Sequence, residues 1–180
     1  MTRILDNYRK TIIPALRKEF SISNVMAVPK VSKIVVNVGV GRMLKDGRAM
    51  DKVEHDLAVL TGQKASARKA KKSVASFKVR QGQTVGYAVT LRGKRMYDFL
   101  DRLISVALPT SKDFRGLDPK NFDEHGNLNI GIKEHNIFPE ITYETLKDIF
   151  PLQVTIVTTA RDRAQGLSLL KHLGVPLREA

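Results

Sequence analysis

Two spacings of apolar residues alternate along the chain. Ile4, Leu5, Tyr8, Ile12, Leu16 and Phe20 recur at helical intervals, with Pro14 inside the run, where a helix is expected to kink or break. From Val31 to Val40 the period falls to two. Ile34, Val36, Val38 and Val40 point one way and Lys33, Val35, Asn37 and Gly39 the other, the pattern of a half-buried strand. Met50, Val53, Leu57 and Leu60 restore helical spacing, and Gly62 supplies the left-handed residue that ends such a helix. A short strand is expected near residues 64–68.

Residues 69–83 have no clean period, are densely basic and end in Gln81-Gly82-Gln83, so they read as a protruding loop or ribbon between strands. Phe77 is the one large apolar residue near its tip. The clearest strand follows: Val85, Tyr87, Val89 and Leu91 toward the core, Thr84, Gly86, Ala88, Thr90 and Arg92 away from it, with Gly93 ending it. A helix from Lys94 buries Met96, Phe99, Leu100, Leu103 and Ile104 and is expected to stop before Pro109. Residues 109–127 are rich in turn formers and read as an ordered surface excursion. Leu128, Ile130 and Ile132 alternate with Asn129, Gly131 and Lys133 as a further strand. Residues 153–159 form a β-branched strand, and Asp162 opens a last helix carrying Ala164, Leu167, Leu170 and Leu173 before Gly174. Helices and strands around one sheet make the expected class α+β, in two layers. The sheet is mostly antiparallel or mixed, with helices on one face and the other face open. One domain is expected over residues 1–180.

Charge changes this picture. Lysine and arginine number 31 against 18 acidic residues, a net charge of +13, and the excess is not spread evenly. No Asp or Glu occurs between Asp56 and Asp98, a stretch that carries ten basic residues. Clusters of one sign repel themselves, and a solvated surface normally intersperses both, so this stretch calls for a polyanion. Phosphate is the natural counter-charge. A basic surface of no particular function is the bland alternative. An anionic membrane is disfavoured, because the basic run at Lys69-Ala70-Lys71-Lys72-Ser73 has no bulky apolar helix face beside it. No apolar run is long enough to span a bilayer and the first residues lack a signal-peptide apolar region, so a soluble intracellular protein is expected.

The side chains on the outward positions of the best strands refine the partner. Asn37, Gly39, Thr84, Gly86, Ala88, Thr90, Arg92, Asn129, Gly131 and Lys133 are small, neutral or basic, and none is acidic. A covering helix would require apolar partners there, so this face is read as open. Short hydroxyl and amide side chains admit a sugar–phosphate backbone and bond to 2′-hydroxyls and minor-groove edges, which is how folded RNA is mostly read. The face carries no stacking aromatics, so structured RNA fits better than unpaired bases.

Little else carries chemistry. The absence of cysteine excludes disulfides, thiolate metal sites and cysteine nucleophiles. Gly39-Val40-Gly41 lacks the third glycine of a dinucleotide loop, whose position holds Leu44. His55, His125, His135 and His172 have no metal-ligand spacing, Asp123-Glu124-His125 and Glu134-His135 are read as surface charges, and no nucleophile elbow occurs. No metal, cofactor or catalytic residue is expected. The competing class, an enzyme acting on RNA, would require an acid/base pair beside the basic surface, and the acid-free stretch supplies no carboxylate.

Seven motifs occur in order: residues 33–41 (KIVVNVGVG), 60–64 (LTGQK), 69–73 (KAKKS), 77–82 (FKVRQG), 89–93 (VTLRG), 113–116 (DFRG) and 137–141 (IFPEI). Through them nearly the whole chain resembles the bacterial large-subunit ribosomal protein five family, which holds 5S ribosomal RNA. The resemblance implies a non-enzymatic constituent of the cytoplasmic ribosome that binds 5S rRNA in the central protuberance. It also implies contacts with large-subunit rRNA and with peptidyl-site tRNA, and no homo-oligomer is expected. Residues matching Asn37, Gln63 and Thr90 hydrogen-bond 5S rRNA in the family, and the basic Lys33 and Arg92 join them as candidates. The ribbon with Lys69, Lys71, Lys72, Ser73, Phe77, Lys78, Arg80 and Gln81 resembles the extension that touches the tRNA elbow. Lys112, Asp113, Phe114 and Arg115 resemble the region that bridges to small-subunit ribosomal protein thirteen. The chain departs from the family where Pro109-Thr110-Ser111-Lys112 replaces a Pro-Arg-x-Arg run. It departs again where Glu124-His125 replaces Gly-Arg.

Overall fold

The computed structural model describes residues 3–43, 47–112, 114–141 and 149–178. The class is α+β, as expected. Five strands, β1 (Val31–Gly39), β2 (Ser66–Lys69), β3 (Thr84–Leu91), β4 (Leu128–Ile132) and β5 (Leu152–Thr158), form one antiparallel sheet in the order β2-β3-β1-β5-β4. The chain divides into two compact units, residues 1–34, 91–130 and 155–180 in the first and 35–90 and 131–154 in the second. No helix among the described residues is long and apolar enough to cross a membrane.

In the first unit, α1 combines Arg3–Asn7, a π-helical turn at Tyr8–Ile12 and Ile13–Glu19. Its buried residues, Ile4, Tyr8, Ile12 and Leu16, lie strictly four apart. In a regular α-helix such a repeat drifts by about 40° at each step, and a wider turn brings it back over the core. The Ile13 N–H accordingly bonds to the Tyr8 carbonyl, five residues back. The helix therefore passes Pro14 unbroken. A proline ring collides with the carbonyl four residues before it, here Lys10, and the π turn displaces that carbonyl.

The same device overturns a second expectation. The helix α3 (Gly93–Arg102) does not stop before Pro109 but continues through a π turn at Leu103–Ala107 into Leu108–Thr110, with the Leu108 N–H bonded to the Leu103 carbonyl. Ile104 is only half-buried, while Tyr97 is buried in its place. Tyr8 donates to the Pro29 carbonyl at 3.0 Å, and burial, reinforced by Tyr97, pushes its phenol up to about 12.

The last helix, α4 (Arg163–His172), also turns differently from the expected stripe. Ala164 is exposed and Leu167 half-buried, whereas Gly166, Leu169 and Leu170 face inward with Leu173. The cause is a close passage of two backbones: a Cβ on Gly166 would strike the backbone of Gly126. The preceding excursion is ordered, as expected. Leu117 pairs with Leu177, Phe122 with Leu128, and Asp118 caps a 3₁₀ turn at Pro119–Asn121 through the Lys120 N–H. Asp123 accepts from the N–H groups of His125 and Asn127 and from the Asn127 amide at 2.7–3.0 Å. Burial pushes its carboxyl up, but these hydrogen bonds outweigh that and hold it below the ordinary range.

In the second unit, α2 (Gly47–Thr61) buries Val53, Leu57 and Leu60 and ends where Gly62 takes φ +66°. The edge strand β2 pairs with β3 through Ser66↔Ala88, Ala67↔Tyr87 and Arg68↔Gly86, and then slips to Lys69↔Thr84. The slip leaves Val85 in a bulge, so it is half-buried instead of facing the core as its alternation had implied. His135, expected on the surface, is fully buried at 0% exposure. Its ring stacks on Phe150 at 3.9 Å, and the Phe150 N–H donates to Nδ1 at 3.1 Å. That bond assigns the acceptor lone pair to Nδ1, so Nε2 carries hydrogen and faces the buried Asp56 carboxylate at 4.0 Å.

Candidate nucleic-acid interface

The outward face of the second unit is built by alternation. On β1 the buried Val36 and Val38 bracket Asn37, which is exposed, as is Gly39. On β3 the buried Tyr87 and Val89 leave Gly86, Ala88 and Thr90 on the other side. This face is not uniformly open: Thr90 is half-buried, and Gly86 and Ala88 are buried. Gly86 has a packing reason to be glycine, since a Cβ there would lie 2.7 Å from the Val38 carbonyl oxygen. The register also brings Ser66 and Arg68 of β2 to this face, opposite Ala88 and Gly86. β5 contributes the exposed Gln153.

Two clusters emerge. In the first, the end of α2 delivers Gln63 to β3. Thr61 Oγ1 donates to the Leu57 carbonyl at 2.6 Å, the chain reverses at Gly62, and the Gln63 side-chain amide reaches the Thr90 carbonyl at 3.4 Å. In the second, Asn37 lies beside a concavity of about 470 Å³ lined also by Gly39, Gly131, Lys133 and Gln153. The structure therefore joins Gln63 to Thr90 and gives Asn37 different neighbours. Lys33, half-buried, and Arg92, exposed at the start of α3, belong to the first unit.

Asp51 and Glu54 of α2 lie on the other side of the sheet. The Tyr87 phenol, which points away from the outward face, is raised first by its burial and then by Glu54 and Asp51 of α2. Glu54 pairs with Lys64 at 3.5 Å. Phosphates approaching the outward face thus meet amides, hydroxyls, bare backbone and cations.

The basic segment between β2 and β3 is an ordered ribbon. Ala70 and Gln83 pair through an N–H to carbonyl bond of 2.8 Å, Val74 pairs with Val79, and the Gln81 N–H donates to Ser73 Oγ at 2.9 Å. A 3₁₀ turn at Ala75–Phe77 and a left-handed Lys78 form the tip. Lys69, Lys71, Lys72, Ser73, Lys78, Arg80 and Gln81 are exposed, and Phe77 is 76% exposed. Among the proposed bridge residues, Lys112 and Arg115 are exposed and Phe114 is half-buried. Asp113 lies outside the described residues.

Sequence reasoning missed Gln153, Ser66 and Arg68, because face assignment on β2 and β5 requires the strand order. It also misread His135. The signal was in α2, where Asp56 shares the buried stripe of Val53, Leu57 and Leu60, and a carboxylate in such a stripe needs a buried partner.

Comparison with known proteins adds a separate line. Residues 24–80 match the family model described as Ribosomal protein L5, and residues 84–177 match the one described as ribosomal L5P family C-terminus. The large ribosomal subunit protein uL5 of Syntrophomonas wolfei subsp. wolfei is 48% identical over 178 residues, covering 99% of this chain and 100% of that protein. The proteins of the same name from Rubrobacter xylanophilus and Geobacter sulfurreducens are 51% and 50% identical over 178 residues, covering 99% of each chain.

Proposed function

The chain belongs to the ribosomal protein L5 family, and on that premise we propose that the outward sheet face of its second unit docks folded 5S rRNA. Membership makes it a structural constituent of the large subunit of the cytoplasmic ribosome. One observation carries the finer reading. The outward strand positions hold Asn37, Thr90, Gln153 and Arg68, Lys133 follows the end of β4 beside them, and none of these is acidic or aromatic, while Asp51 and Glu54 stand on the Tyr87 side. Such a face accepts phosphates without repulsion and offers amides to 2′-hydroxyls.

The basic ribbon reaches peptidyl-site tRNA, its exposed cations meeting phosphate and Phe77 offering a flat apolar surface at the tip. Contacts with large-subunit rRNA, and a bridge from the segment at Lys112–Arg115 to small-subunit ribosomal protein thirteen, complete the set of partners.

Binding of the whole protein to isolated 5S rRNA tests the central claim. Affinity should fall with salt at a log–log slope of roughly 0.7 to 0.9 per phosphate contacted. A chemical footprint should protect duplex flanks. Salt-independent binding, or protection confined to unpaired bases, would overturn groove docking on this face.

A further inference from the structure

Gly39 and Gly131 are unexplained by the fold. Both lie within strands, where glycine is less stable than alanine, and neither has the positive φ that would require it. A Cβ built on either meets no atom within 4 Å, so the protein alone would accommodate a side chain at both positions. Gly86, by contrast, is held to glycine by the Val38 carbonyl. A residue that weakens its strand and satisfies no internal contact points to something outside the molecule that needs the space.

The two glycines line the same concavity. Among the described residues, the polar side chains around them are Asn37, Lys133 and Gln153, and none in the lining is a carboxylate. It is a shallow depression of about 470 Å³, open to solvent, of a size to let one edge of a nucleotide lie against it. Its donors suit two chemistries at once: amides for a ribose hydroxyl and an ammonium for a phosphate.

We infer that this concavity seats one nucleotide of the bound RNA, its ribose–phosphate edge lying against bare backbone at Gly39 and Gly131, with Lys133 and Gln153 as RNA contacts beside Asn37. The inference rests on the 5S rRNA reading and adds to it a location at which the RNA comes closest. Lys133 pairs with the phosphate. Gln153 and Asn37 approach the ribose from two strands, β5 and β1, which a single-stranded loop on the protein could not hold at a fixed separation.

The test uses the whole protein and 5S rRNA, with affinity and melting temperature measured for each variant in one buffer. Gly39→Ala and Gly131→Ala should melt at or above the parent temperature, because alanine restricts the unfolded chain. Each should bind 5S rRNA about tenfold more weakly, because a methyl group intrudes on a close-packed contact. Gly131→Val should bind more weakly still. Gln153→Ala should lose about fivefold, the effect of one hydrogen bond. Lys133→Gln should lower the salt slope by roughly 0.7 to 0.9.

Thr90→Ala and Gln63→Ala, in the other cluster, separate the two readings. If they weaken binding while the glycine variants bind normally, the concavity is not a nucleotide seat and the face reading survives. If none of these changes affects affinity, the face reading fails as well. If the glycine variants lose melting temperature along with affinity, a structural requirement explains the glycines and the inference is wrong.

Discussion

Replacing Asn37 by alanine separates binding from folding. The side chain is exposed on β1, and among the described residues it has no hydrogen-bond partner within the protein. Its loss should change stability by less than about 0.5 kcal/mol, the usual range for a surface substitution. In the complex, a carboxamide facing a ribose can donate and accept. Two bonds at about 1 kcal/mol each set an upper expectation of about 2 kcal/mol, and one bond a lower expectation of about 1 kcal/mol. The dissociation constant for 5S rRNA should therefore rise roughly 5- to 30-fold. Fluorescence anisotropy with end-labelled 5S rRNA, at one salt concentration and beside a thermal melt of the same sample, measures both quantities. The salt slope should not move, because the side chain is neutral. An unchanged dissociation constant in folded Asn37→Ala and Thr90→Ala variants alike would refute the assignment of this face to 5S rRNA. A changed slope would mean that the substitution had displaced a neighbouring cation.

Three further outcomes are expected. Lys69→Gln, Lys71→Gln and Lys72→Gln combined should leave 5S affinity largely intact and impair tRNA-dependent function of reassembled subunits, and loss of 5S binding in that triple variant would reverse the division of labour between face and ribbon. Asp123→Ala should destabilise the protein by about 1–2 kcal/mol, because three donors lose their acceptor. The Asp123 carboxyl is held below its ordinary value of 3.8, so its contribution is complete above that pH and is lost as pH falls through the folded value. The gap between parent and Asp123→Ala in denaturant melts should thus close on acidification, and a gap that widens would contradict the hydrogen-bond account. Gly166→Ala should lower the melting temperature without altering 5S affinity per folded molecule, because its methyl group meets the Gly126 backbone.

Much of this architecture was legible where one spacing governed one element. The alternation of Ile34, Val36 and Val38 located β1, and Gly62 marked the end of α2 because only a left-handed residue could turn the chain there. Pro109 misled for a physical reason: proline forbids a regular α-helix but not one that widens to a π turn before it, and no local pattern announces that turn. The bulge at Val85 and the rotation of α4 about Gly166 are likewise decided by a neighbouring segment. The chemistry of the face was readable as a composition, small and cationic without acids. Its division into a Gln63–Thr90 cluster and an Asn37 concavity was not, because strand order and the approach of α2 determine which residues become neighbours.

The ribbon's internal pairing has a kinetic consequence. With Val74 joined to Val79, Ser73 to Gln81 and the tip set by Lys78, the arm already has its final shape when folding is complete. A visitor meeting it need not wait for it to settle, and releases no stored order on leaving. On the tRNA contact proposed above, such a stiff finger would permit brief, repeatable touch at a modest holding strength, engaging each visitor without detaining it.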